Sequence, residues 1–294
     1  MKIAFIGKRR QSPHDIERIN RFMSHLEKGG AEILIESRLL STLREAGAVG
    51  ADRYKEFTGE DFDADIIAGI GGDGTLLRCA STAACKDIPI IGFNTGHLGF
   101  LADESLENAS EVTARLFTGD YAIESRSMLE VSVHDDVTPF NRSFNPFALN
   151  EVAISRQDTA SMISVDTRLD GMQVADYQGD GIIISTPTGS TAYNLSVGGP
   201  VIEPDAPAFV ISPIAPHALT MRPLVVSHYR TIDLAVSSRS NSYRVSLDGR
   251  TMVLPLTAHL TVKRAQVQVR LIHFPGRNFF DTLRTKMLWG VTKR

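Results

Sequence analysis

The sequence predicts an N-terminal α/β domain built on an open, mostly parallel sheet, followed by a mainly antiparallel β domain. Three observations lead there. Strand and helix patterns alternate as far as Gly119. From about Tyr121 to His273, short alternating segments are broken by frequent turn signals. The chain has 294 residues, 43% hydrophobic and 22% charged, which is length and composition for two folded cores.

The elements follow in order. Lys2–Gly7 is a first strand; its charges come after the apolar run and no small-residue cleavage site follows, so it is not a secretion signal. His14–Lys28 carries Ile16, Ile19, Phe22, Met23 and Leu26 on one helical face and stops at Gly29-Gly30. Ala31–Glu36 predicts a second strand and Arg38–Ala46 a second helix. Asp65–Ile70, rich in β-branched residues, reads as a buried parallel strand, and Thr75–Ala84 as a helix with Thr75 its candidate cap. Pro89–Asn94 is a further strand, and Leu106–Phe117 a helix ended by Gly119. In the β domain, Leu129–His134, Ile163–Leu169, Gly181–Ser185, Tyr243–Leu247 and Leu260–Ile272 read as strands, with Asp170-Gly171 and Asp248-Gly249 as turns. Phe279, Phe280, Leu283, Met287 and Leu288 recur at helical spacing and predict an amphipathic tail helix, either docked on the first domain or serving as an interface. The expected division is 1–120, 121–275 and 276–294.

Gly71-Gly72-Asp73-Gly74-Thr75 sits where a strand hands over to a helix. Free amides and the positive end of the helix dipole make such a turn an anion site, and phosphate is the obvious guest. Gly69, Gly71 and Gly74 also satisfy the spacing of a dinucleotide fingerprint. Three points reject it. Strands precede this one, the next strand ends in Asn94 rather than an acid, and the Asp73 carboxylate would face a pyrophosphate at close range. A carboxylate there is either a tolerated turn residue or a reacting group. The run Thr95–Leu101 is either a loop over the crevice or a packing turn.

Composition narrows the partners. A net charge of −3 offers no basic field for nucleic acid or an anionic membrane, so a small molecule is expected. No apolar stretch approaches the ~20 residues that span a bilayer. Cys79 and Cys85 lack metal-ligand spacing and are expected to be reduced core thiols on the helix after the glycine turn, in a cytoplasmic protein.

A second unusual cluster runs from Gly179 to Ser196. Its hydroxyl-rich turn, Thr186–Thr191, leads into a short helix near Ser190, and Tyr193 offers a ring with a polar tip. The cluster is either a ligand wall or a set of caps and a core aromatic. Asn150-Glu151 interrupts an apolar run, where Glu151 needs a partner, whether a ligand or a salt bridge.

Taken together, these motifs resemble the NAD kinase family: Gly71–Thr75, Asn94–Leu101, Asn150-Glu151, Asp180-Gly181, Thr186–Tyr193, Gly198-Gly199-Pro200, Pro216-His217 and Arg222–Val225 stand in family order over nearly the whole chain. The glycine turn alone is shared with diacylglycerol-type lipid kinases and phosphofructokinases. The resemblance implies a β-sandwich second domain, a tail returning to the first, and transfer of the γ-phosphoryl of ATP to the 2′-hydroxyl of the adenosine ribose of NAD. It implies Asp73 as proton acceptor with Gly74 beside it. Asn150 and Glu151 fall to the adenosine half, Asp180 to the nicotinamide half, and Thr191, Ala192, Tyr193, Asn194, Leu195 and Ser196 to the dinucleotide. Arg250 is expected near the ligand. Gly71, Gly72, Gly74 and Thr75 suit the donor's phosphates, and Arg78 is either a phosphate contact or part of a solvated helix face. Mg²⁺ is expected to arrive with ATP rather than in a protein cage. A homodimer or homotetramer is implied. Gln178 stands where some members carry Arg, so no preference between oxidised and reduced dinucleotide carries over. A lipid kinase and a catalytically silent NADP-binding sensor are the rival readings.

Overall fold

The structure, a computed structural model, describes all residues except 49, 97–98, 103, 136–143, 158–160, 277 and 291–294. The chain forms two compact units: residues 1–125 with Val269 onward, and Arg126–Gln268. Chain direction crosses from one to the other inside two long strands.

The first unit begins with β1 (Lys2–Gly7) and α1 (Pro13–Lys28), whose start is fixed by a reciprocal Ser12–Asp15 capping box with Pro13 in the first turn. Next come β2 (Glu32–Glu36), α2 (Ser37–Glu45), β3 (Lys55–Phe57) and β4 (Ile66–Gly71). After α3 (Asp73–Ala83) come β5 (Ile90–Asn94), a two-residue β6 (Glu104–Ser105) and α4 (Ala109–Thr118), which ends on left-handed Gly119. The order β5-β4-β1-β2-β3 is parallel throughout, as the alternation of strand and helix requires. β4, paired with β1 on one side and β5 on the other, is buried along its whole length. Phe22 of α1 closes the core, its ring 4.8 Å from Phe93 of β5 and 5.9 Å from Phe5 of β1.

Two local expectations are corrected. α3 starts at Asp73, so Gly72 is the N-cap in extended conformation and Thr75 lies inside the first turn. A carboxylate in the first turn of a helix meets the positive end of its dipole, which favours the earlier start. The same helix ends at Ala83, so Cys85 lies beyond it and is exposed; only Cys79 is a core thiol. Of the apolar face of the tail helix, only Leu283 is buried, while Phe280 and Leu288 are exposed. His97 and Leu98 of the Asn94–Leu101 motif lie outside the described residues.

The second unit takes most of β7 (Ala122–His134), then β8 (Phe147–Ala148), β9 (Glu151–Arg156), β10 (Ile163–Leu169), β11 (Met172–Gly179) and β12 (Gly181–Ser185). A 3-10 turn, Thr188–Thr191, leads into the four-residue α5 (Tyr193–Ser196). Then follow β13 (Ala208–Ile214), β14 (Leu224–Ser227), β15 (Ile232–Ser238), β16 (Ser242–Leu247), β17 (Arg250–Pro255) and most of β18 (His259–His273). One antiparallel sheet runs β14-β13-β12-β9-β16-β17, and β11-β10-β15-β18 forms a second antiparallel series. Alternate residues of both enter one core, with Ile154, Ile184, Phe209 and Val245 from one side and Val165, Leu234 and Val262 from the other. The resulting unit is a β-sandwich. Beyond it, Leu271 near the end of β18 pairs with Ile90 of β5, and α6 (Phe279–Met287) follows, both within the first unit.

Phe22→Ala removes a ring that is 1% exposed and wedged between two others, so we expect a loss of ~3–5 kcal/mol in urea unfolding. A loss under ~1 kcal/mol would show that this cluster does not hold α1 on the sheet.

Candidate active site

In the first unit the chemistry collects at the carboxyl end of β4. The strand stops at Gly71, Gly72 turns the chain, and Asp73 opens α3. Its carboxylate turns toward the segment after β5. Oδ2 accepts from the Phe100 N–H at 2.9 Å, and Oδ1 from the Leu101 and Ala102 N–H groups at 3.0 and 3.1 Å. A carboxylate offers about four lone-pair directions, so three are filled and the free one lies on Oδ2. Gly99 makes the approach possible, because a Cβ there would overlap Asp73 Oδ1. Gly72 and Gly74 are different: a Cβ on either would meet nothing within 4 Å, and neither has a left-handed backbone. Nothing inside the chain requires glycine at those two positions. The open space above them borders the first N–H groups of α3, which have no acceptor within the helix.

Guanidinium groups gather on the flank of this turn nearer β1 and β2. Arg9, Arg10, Arg38 and Arg78 line a cavity of about 840 Å³ with Ser41, Thr42 and Glu45. Arg78 is fixed there, with both Glu36 carboxylate oxygens at 2.5 and 2.6 Å and the Gly7 carbonyl at 3.1 Å. It is thus paired with Glu36 and still partly exposed toward the cavity. One guanidinium edge is held by Glu36 while the residue still faces the cavity.

In the second unit a hairpin organises the predicted ligand residues. The Asp248-Gly249 turn between β16 and β17 is left-handed at both positions, φ 47° and 80°, as a tight two-residue turn demands. The Asp248 carboxylate accepts from three successive amides, Leu149 at 2.7 Å, Asn150 at 2.8 Å and Glu151 at 3.1 Å. Arg250 donates to the Asn145 carbonyl at 2.9 Å and to the Phe147 carbonyl, so it braces the approach to Asn150. From the other side, Thr186 donates its hydroxyl to the Leu149 carbonyl at 2.6 Å and its N–H to the Asn150 carbonyl at 2.9 Å. Gly189 lies against the same carbonyl, which a Cβ would strike. Asn150 and Glu151 are thus clamped between two loops.

The residues that follow split by exposure. Tyr193 is 43% exposed, whereas Asn194 is 0% exposed. The Asn194 amide donates to the Ser190 and Pro200 carbonyls and accepts from the Ser212 hydroxyl at 2.6 Å, so its side chain builds the turn. Thr191, Ala192 and Leu195 are half-buried and Ser196 is exposed. Asp180 is paired with Arg156, Nε to Oδ1 at 3.0 Å. Burial, with Asp248 nearby, pushes the Glu151 carboxyl up to about 7, against the pull of the Tyr193 amide. Burial raises Asp248 as well, although its three amide donors and Arg250 oppose the shift.

Both halves of the chain match family profiles. Residues 4–121 match the ATP-NAD kinase N-terminal domain, and residues 149–274 match the ATP-NAD kinase C-terminal domain. The chain belongs to the ATP-NAD kinase family. An NAD kinase of Bacteroides fragilis is 41% identical over 294 residues, covering 100% of both chains. An NAD kinase of Porphyromonas gingivalis is 42% identical over 301 residues, covering 100% of this chain and 99% of its own. Among solved structures, an NAD kinase from Archaeoglobus fulgidus in complex with ATP is 28% identical with a TM-score of 0.71, covering 98% of this chain and 99% of that one. Yeast NADH kinase complexed with NADH shares the fold, with a TM-score of 0.87 at 23% identity, over 100% of this chain and 89% of that one.

Sequence reasoning missed three participants in these arrangements. The Phe100, Leu101 and Ala102 amides carry no side-chain signal, since any residue supplies an N–H. Asp248 read only as a turn residue. Lys286, whose ammonium lies 4.0 Å from Asp73 Oδ2, sits among ordinary helix residues.

Two outcomes follow from this geometry. Gly99→Ala forces the 100–102 segment off Asp73, and we expect a loss of ~1–3 kcal/mol in the unfolding of the first unit; an unchanged midpoint would mean the segment yields freely. For Glu151, the carboxyl is neutral in both states below about pH 4.5. Between there and about 7 the unfolded chain ionises while the folded one keeps its proton, so stability falls as pH rises. Glu151→Gln removes that slope, and its stability relative to the parent should rise by roughly 3 kcal/mol at most from pH 4.5 to above 7. Parallel stability curves across that window would mean that Glu151 is not held neutral.

Proposed function

We propose that this chain phosphorylates NAD, moving the γ-phosphoryl of ATP to the 2′-hydroxyl of the adenosine ribose to give NADP and ADP. Family membership supports the reaction class. The observation that carries the reading is a carboxylate fixed by three amides, with one lone pair open, at the start of a helix whose first glycines leave space for a ligand.

A ribose hydroxyl is a weak nucleophile. Asp73 takes its proton on the open Oδ2 direction as the oxygen attacks phosphorus, a contribution of about 10²- to 10⁴-fold. The three amides prevent the carboxylate from rotating away and so hold it in one position for the reaction. Amides of Gly72, Asp73 and Gly74 face the donor's phosphates, with Gly71 and Thr75 shaping the turn. We place the remainder of the donor's charge in the arginine-lined cavity, where Arg9, Arg10 and Arg38 have no ion-pair partner among the described residues. Asn150 and Glu151 are assigned to the adenosine half of NAD, and Asp180 to the nicotinamide half. Thr191, Ala192, Tyr193, Asn194, Leu195 and Ser196 are assigned to the dinucleotide wall, the Asn194 side chain building its turn, and Arg250 is assigned near the ligand, where it braces the approach to Asn150.

The divalent ion belongs to the substrate. Among the described residues no three His, Cys, Asp or Glu side chains stand together as a cation cage, and three of Asp73's lone pairs are taken. These residues do not fit a resident Mg²⁺, so we write the donor as MgATP, with charge neutralisation supplied by the bound ion. We also infer a cytoplasmic homodimer or homotetramer, on the strength of the family alone.

The deciding experiment mixes the purified chain with NAD, ATP and Mg²⁺ and reads NADP with an enzyme specific for it. NADP should accumulate. Asp73→Asn should lower kcat by about 10²- to 10⁴-fold while NAD binding persists. A folded protein that makes no NADP would end the kinase reading, and undiminished turnover in the Asn variant would remove Asp73 as the base.

A further inference from the structure

The tail helix brings one cation to Asp73. Lys286 lies on α6, its side chain 21% exposed, with the ammonium 4.0 Å from Asp73 Oδ2 and 4.7 Å from the centre of the Phe100 ring. The Phe100 N–H holds the same Oδ2 at 2.9 Å. Ring, amide, carboxylate and ammonium therefore form one cluster on the side of Asp73 that keeps a free lone pair. At 4.0 Å the ammonium is an ion-pair partner but not a hydrogen-bond donor to the carboxylate, so its N–H groups remain available. The ring holds the cation without consuming a donor. Among the described residues Asp73 is its ion-pair partner.

This placement answers a difficulty of the proposed reaction. A γ-phosphoryl group carries negative charge and has to approach a hydroxyl already hydrogen-bonded to a carboxylate, where like charges repel. We propose that Lys286 is the cation of the phosphoryl-transfer centre, donating to an oxygen of the transferring group while its charge offsets that of Asp73. In that step the ribose oxygen forms its bond to the γ-phosphorus and the bond from that phosphorus to the β,γ-bridging oxygen breaks. ADP leaves with the bonding pair, the hydroxyl proton passes to Asp73 Oδ2, and Lys286 keeps its protons. The inference rests on the kinase reading.

The test is a steady-state comparison of full-length variants. Lys286→Met should lower kcat by about 10²-fold, the scale for losing one donor to a developing anion, with KM for NAD unchanged within a factor of about two. Lys286→Arg should recover most of the loss. In an Asp73→Asn background, where no carboxylate charge needs offsetting but the phosphoryl oxygen still loses its donor, Lys286→Met should lower kcat further, by a clearly smaller factor than in the parent. Leu283→Ala is the structural control: Leu283 is 7% exposed and anchors the same helix, and its loss should lower the melting temperature without reproducing the kcat defect. The inference is overturned if Lys286→Met keeps parental kcat, or if it loses equally in both backgrounds. It is also overturned if Leu283→Ala matches its kinetic defect. A parent chain that makes no NADP at all would instead end the kinase reading itself.

Discussion

Asp73 is held in place by three consecutive backbone amides, and much of the first unit is arranged to let that happen. β4 has to end at the sheet's carboxyl edge, so that the side chain leaves the turn toward β5 rather than into the helix. Gly99 has to lack a side chain, and Ala102 has to lie close to β5, where Gly92 leaves room for its backbone. An ionised group with its lone pairs met by fixed N–H dipoles cannot swing to another rotamer without leaving those dipoles unpaired. Rigidity of this kind is what a proton acceptor needs, because a displacement of about an ångström separates a reacting carboxylate from a spectator.

The second unit repeats the device with a different purpose. Asp248 also collects three successive amides, but from a half-buried hairpin turn, and those amides belong to Leu149, Asn150 and Glu151. Its effect is to pin the backbone that carries the Asn150 and Glu151 side chains. It also places a second acid near Glu151, and burial with that neighbour favours the protonated form of Glu151. One carboxylate is gripped beside an open glycine turn, and the other where it holds its neighbours still. The surroundings also differ in sign: four arginines lie along the flank of the glycine turn, whereas the Asn150 region is built around two half-buried acids.

Most of the fold was legible in the sequence because its signals are local. The periods of α1 and β4 and the Asp-Gly hairpins follow from side-chain alternation and turn chemistry within a few residues. The glycine turn was legible for the same reason, down to an acid in an anion site. Its partners were not, since backbone amides twenty-seven to twenty-nine positions away have no residue type to announce them. Asn194, which the resemblance assigns to the dinucleotide, turns its side-chain amide inward to Ser190, Pro200 and Ser212, a packing that nothing in its immediate neighbours announces. The pairing of Arg78 across to Glu36 of β2 is likewise invisible from its helical position.

The first unit is sewn shut with thread from the other end of the polypeptide. Ile272 and Phe274 belong to its hydrophobic core, and Lys286 reaches its key acid, yet all three leave the ribosome after the whole sandwich has been made. During synthesis, residues 1–125 emerge as an incomplete body with an open seam, while Arg126–Gln268 can close around its own core as soon as it is exposed. A chain ending before Val269 would therefore lack the segment, with Ile272 and Phe274, that completes the core of its opening unit.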